Sequence, residues 1–115
     1  MPRVERRLWH LVVGTRGGPK RAEILSLLSR RPYNANEIAR LLGVDYKTAR
    51  HHLDVLAKNG LVTTDGGAYG TLYAWSPALR AEADAWARVW ATFAAPMSRD
   101  VEVRRKKPDA RPSAD

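Results

Sequence analysis

A single residue, Val44, separates a helix-stopping glycine from a helix-starting aspartate. Upstream of it, Asn34 followed three residues later by Glu37 reads as a capping box, and Ala35, Ile38, Leu41 and Leu42 supply the apolar positions of a short helix that Gly43 closes. Downstream, Asp45 is a good N-cap, and Tyr46 to Lys58 run without a breaker until Asn59-Gly60. The spacing predicts helices over 35–42 and 46–58. With so short a connection they cannot lie side by side and must cross sharply.

The flanking segments supply the rest of a single core. Val4, Leu8, Leu11 and Val12 fall on one helical stripe, predicting a helix over 3–13 that ends at Gly14. Pro19 suits the first turn of a second helix over 19–30, with Ile24, Leu25 and Leu28 inward and Arg30-Arg31-Pro32 as its stop. After Gly60 the period changes. Leu61 to Asp65 and Thr71 to Trp75 read as the strands of a hairpin, and Ser76-Pro77 opens a helix over 77–95 that Pro96 ends. The fold class is mainly α with a small β-hairpin, in one domain over 1–96. Residues 97–115 mix charge and proline without periodicity and read as a disordered charged tail whose Arg104-Arg105-Lys106-Lys107 run adds little net charge.

Helix, tight turn, helix, hairpin is the order of a winged helix-turn-helix, in which the second helix of the turn enters the DNA major groove. Charge agrees with it. The chain carries +8, and residues 1–60 hold twelve basic and five acidic side chains, which suits a polyanionic partner. On the 46–58 helix, Ala49, Leu53 and Leu56 share one face, and Lys47, His51, Asp54 and Lys58 stand opposite with Arg50 on the flank. Tyr46, Lys47, Arg50 and His51 are therefore the candidates for base-edge or nearby phosphate contact, with Thr48 and Lys58 beside them. Tyr46 leans far enough inward that packing is an equal reading. His52 points sideways and reads as a packed or hydrogen-bonded histidine.

Residues 34–76 resemble the ArsR family of winged-helix repressors. The resemblance rests on Thr48, the His52-Leu53 pair, Leu56 and Gly60-Leu61-Val62. Gly14-Thr15-Arg16-Gly17-Gly18 together with Asp45-Tyr46-Lys47-Thr48 and His51-His52 is similar to the short single-domain members found in archaea. The resemblance implies operator binding as a homodimer and transcriptional control. Metal-sensing members carry paired cysteines near the recognition helix, or His and carboxylate ligands on the last helix. This chain has no cysteine and no histidine after residue 52. Adjacent His51 and His52 also lack the i, i+4 spacing that lets two imidazoles share zinc, so no metal site and no cofactor are expected.

Between Thr63 and Tyr73 there is no Lys or Arg, which leaves Thr64, Tyr69 and backbone amides for any wing contact. The Gly14–Gly18 turn reads either as a plain connector or as a phosphate site at a helix N-terminus, where Arg16 and Lys20 add charge. Leu79, Ala83, Trp86, Trp90 and Phe93 recur at coiled-coil spacing. With Leu8 and Leu11 they predict a two-fold self-association interface. Trp86 and Trp90 are read as packing rather than as a ligand pocket. The sequence names no effector.

No segment reaches membrane-span length, so the chain is expected in the cytoplasm. An enzyme lacks support, because no nucleophile and base pair up and no phosphate loop of the GxxxxGK type occurs. The favoured function is sequence-specific regulation, most simply repression, with double-stranded DNA and a second copy as partners. The alternative is a winged-helix module for protein interaction or for nonspecific, architectural DNA binding.

Overall fold

The computed structural model describes residues 3–65 and 71–93. Helices α3 (Ala35–Leu42) and α4 (Tyr46–Lys58) have the bounds read from the sequence. The Asn34 side-chain oxygen accepts from the Glu37 amide at 2.8 Å, and the Glu37 carboxylate accepts from the Asn34 amide at 2.9 Å. This satisfies two amide donors that the helix start would otherwise leave orphaned. Gly43 takes φ +71°, the left-handed conformation that lets the chain leave α3 at once. Two residues on, Asp45 Oδ1 accepts from the Thr48 amide at 2.7 Å and starts α4.

Helix α1 (Arg3–Leu8) passes into a π-helical turn over Trp9–Val13. The wider turn leaves Leu8, Leu11 and Val12 all buried. Helix α2 (Gly18–Leu28) starts one residue before the expected position and ends two before it, Ser29 and Arg30 forming a turn. Its first residue lies hard against the end of the π turn. A Cβ at Gly18 would sit 1.8 Å from the Val12 carbonyl oxygen, so only glycine fits that approach.

The expected two-stranded hairpin is a three-stranded antiparallel sheet of order β1-β3-β2, formed by β1 (Tyr33–Asn34), β2 (Val62–Thr64) and β3 (Leu72–Trp75). Tyr33 pairs with Tyr73, and Val62 with Trp75. Strand β1 was illegible because two residues carry no alternation, and Asn34 doubles as the α3 cap. The wing tip, including Tyr69, lies outside the described residues, as does the predicted tail.

The expected single helix over 77–95 is broken. Helix α5 (Pro77–Ala81) ends at Glu82, whose φ of −122° and ψ of 44° are not helical, and helix α6 follows over residues 83–93. The cause is long-range packing. Leu79 is fully buried, and α6 turns in a different face, Ala85, Trp86 and Val89, which leaves Ala83 exposed. Trp86 meets Trp75 edge-on at 6.1 Å between ring centroids, while Trp75 donates its indole N–H to the Leu25 carbonyl at 2.9 Å. Arg88 clasps the buried Glu5 carboxylate with two hydrogen bonds of 2.6 and 3.0 Å, and Trp9 donates to the same group at 3.3 Å. No helix among the described residues is long and apolar enough to cross a membrane.

Candidate nucleic-acid interface

Helix α4 divides cleanly into two faces. Ala49, Leu53 and Leu56 are fully buried, whereas Lys47, Arg50, His51, Asp54 and Lys58 are exposed and Tyr46 remains 46% exposed. Thr48 is half-buried in the first turn. The far end of the helix is pinned where Arg7 donates to the Asn59 carbonyl at 3.2 Å. Burial of one face against α2, α3 and the sheet therefore fixes the angle at which the other is presented.

The outward face forms two ridges. Along one, Lys47 and His51 have no hydrogen bond or ion pair to any described residue, and His51 only tilts against the His52 ring at 5.5 Å. Along the flank, the residues are tied together. Arg50 donates from Nη1 to the Tyr46 phenol at 2.9 Å and lies 3.6 Å from the Asp54 carboxylate through Nε. The bond to Tyr46, followed by the phenol of Tyr73, raises the Arg50 pKa further above its already high value. Tyr46 thus neither packs inward nor stands free, but holds an arginine.

Beside that flank lies a cleft of about 250 Å³, lined by Asn34, Ala35, Asn36, Tyr46, Arg50, Thr71 and Tyr73. Asn34, Asn36, Thr71 and Tyr73 were not foreseen as site residues. Their convergence depends on β3 running alongside the start of α3. The one sequence signal was the pair of asparagines at that helix start.

The turn before α2 is organised by Arg21, which donates to the Leu11 carbonyl at 2.9 Å and to the Thr15 hydroxyl at 2.7 Å. Arg16 on this turn is exposed, and Lys20 is half-exposed and lies 3.9 Å from Glu23. Behind them His52 is buried, with Nδ1 lacking a partner among the described residues. Burial first, and then the positive charges of Arg21, His51 and Lys20, push its pKa down.

Among the other expected contacts, Thr64 is exposed on β2. The expected self-association seam is redistributed. Leu8, Leu11, Leu79 and Trp86 are buried in the chain's own core, Leu8 and Leu11 through α1 and its π turn and Leu79 and Trp86 on either side of the break at Glu82, and of the expected seam only Ala83, Trp90 and Phe93 keep exposed surface. Among the described residues no group of three His, Cys, Asp or Glu is placed to hold a metal ion.

No curated protein matches the chain. Solved structures do. A probable transcriptional regulator from Pseudomonas aeruginosa is 24% identical with a TM-score of 0.60, covering 88% of this chain and 83% of that one. A homodimeric winged helix-turn-helix DNA-binding domain from Mycobacterium bovis, a possible ArsR-family regulator, is 18% identical with a TM-score of 0.55, covering 96% and 89%. The adhesin competence repressor of Streptococcus pyogenes is 14% identical with a TM-score of 0.61 over 76% of this chain, which spans 65% of that protein's length. At these identities the likeness shows the winged helix-turn-helix fold. In the segment that holds the two turn-joined helices and runs into the first wing strand, residues 18–64, the chain matches the family model of the bacterial regulatory proteins of the arsR family.

Proposed function

We propose that the chain is a sequence-specific DNA-binding transcriptional regulator, acting as a repressor, that lays α4 in the major groove. The observation that carries this reading is the outward face of α4. Among the described residues Lys47 and His51 form no hydrogen bond or ion pair, and they stand on a helix whose opposite face is fully buried. A B-DNA major groove about 12 Å wide admits such a helix. Arg16, Lys20, Thr48 and Lys58 serve as flanking phosphate contacts, and Thr64 with Tyr69 as the weaker wing contact. The arsR match over residues 18–64 and the regulators that share the fold support the same reading.

The working unit is a cytoplasmic homodimer. Trp90 and Phe93 form an aromatic row on α6, 6.4 Å between centroids. Trp90 also borders a groove of about 200 Å³ with Leu27, Leu41 and Leu42, where Leu41 is 56% exposed. The Mycobacterium bovis domain of this fold is homodimeric.

Selection of bound duplexes from a random pool, followed by titration and footprinting, tests the reading. We expect a site of two related halves, binding that weakens steeply with salt, and a loss of about 1–3 kcal/mol for Lys47→Ala on that site. Binding of every duplex with equal affinity would instead make the chain an architectural module.

A further inference from the structure

Arginine reads guanine by presenting a free planar fork to O6 and N7. Arg50 does not present one. Its Nη1 is engaged by the Tyr46 phenol and its Nε faces Asp54, so the guanidinium lies along the helix flank instead of projecting from it. What remains of its donor set borders the cleft between α3, α4 and β3. There the Tyr73 phenol, the Asn36 amide and the Thr71 hydroxyl are further donors. The nearest carboxylates are committed elsewhere, Glu37 to the Asn34 amide and to Arg31, and Asp54 to the far edge of Arg50. One cation held on α4, neutral donors from α3 and from β3 with the residue before it, and room for a tetrahedral group describe an oxyanion seat.

We infer that this cleft holds one backbone phosphate of bound DNA, so that Arg50 senses the sugar-phosphate chain while Lys47 and His51 carry base discrimination. Tyr46 is a positioning residue that holds the guanidinium at the cleft mouth. The inference rests on the DNA-binding reading above and divides its labour. Phosphate contacts set register and add equally to every sequence, whereas base contacts do not.

The test titrates the full chain against its selected duplex and against base-substituted duplexes over a salt series. Arg50→Ala should weaken binding to all duplexes by a similar factor, roughly tenfold, and lower the slope of log affinity on log salt by about 0.9. Arg50→Lys, which keeps the point charge, should restore most of that slope. Tyr73→Phe should weaken all duplexes alike with the slope unchanged. Asp54→Asn should strengthen binding about twofold, by removing an exposed negative charge beside the phosphate. Lys47→Ala should instead narrow the gap between selected and substituted duplexes. A collapse of discrimination in Arg50→Ala at constant slope would overturn the assignment and make Arg50 a base reader. An unchanged Arg50→Ala beside a weakened Lys47→Ala would also overturn it, leaving DNA binding intact. A wild-type chain with no affinity for any duplex would remove both readings.

Discussion

The joint between α3 and α4 is held by contacts a few residues long, and the C-terminal part from β3 through α6 by contacts that reach far back along the chain. Asn34 bonds Glu37, and Asp45 bonds Thr48. Arg88, by contrast, reaches back 83 residues to Glu5, and Trp75 reaches back 50 to Leu25. A local cap depends only on residues a turn apart. A distant clasp depends on the packing of elements far apart in sequence. The presented face of α4 thus has two layers of support, local caps that set its axis and a shared core that sets its height above the body.

The shared core is where the contrast can be broken outright. Leu56 is fully buried on the inner face of α4, and Leu56→Ala should cost about 2–5 kcal/mol through lost burial and an incompletely collapsed cavity. Denaturation followed by far-UV dichroism and by tryptophan fluorescence should give coincident curves in wild type and variant. The indoles of Trp75, Trp86 and Trp90 cluster around the arm and report on it, while most of the helical signal comes from the rest. Two separate transitions would mean that the arm folds apart from the turn-joined helices.

The joint itself should cost less to disturb. Gly43 is left-handed, and a Cβ there would meet nothing within 4 Å, so Gly43→Ala introduces backbone strain and no clash. About 1–2 kcal/mol is expected from that strain. Gly43→Asn should recover part of it, since asparagine tolerates the left-handed region. An Ala variant as stable as wild type would show that the turn is held by its neighbours rather than by its glycine.

The same contrast explains what the sequence could tell. Every boundary fixed by a local cap was legible: α3 and α4 agree to the residue, and Ser76 and Pro77 correctly open α5. Boundaries set by tertiary packing were not. The stripe through Leu79, Ala83 and Trp86 read as one continuous helix, because nothing near Glu82 announces a break that the burial of Leu79 and Val89 imposes. Strand β1 escaped for the same reason, since it exists only as the partner of β3. At the site, helical geometry alone showed that Lys47 and Arg50 face outward. It could not show that Tyr46 and Asp54 hold Arg50 while Lys47 forms no hydrogen bond or ion pair with the described residues, because periodicity gives direction and not partners.

The smallest expected effect lies between the two regions, at His52, which sits on α4 but is shielded by α2. Arg21 and Lys20 face it from α2 and His51 from α4, and burial adds to their charges in holding the imidazole neutral. The unfolded chain takes up a proton near the ordinary imidazole value of about 6.5, and the folded chain only at lower pH. Between those values the unfolded state binds more protons, so stability falls as the pH drops. Glu5, Glu37 and Asp45 have lowered pKa values, chiefly through the Arg88, Asn34-amide and Thr48-amide hydrogen bonds respectively. Their stabilisation is complete above the unfolded carboxylate range near 4 and fades only below it. A window from about pH 6.5 to about pH 5 therefore isolates the histidine. Denaturation midpoints of the wild type should decline across it, and those of His52→Gln should stay level. Should the wild-type midpoint hold steady down to about pH 5, then α2 does not shield the inner side of α4, and the recognition face rests on its caps and apolar core alone.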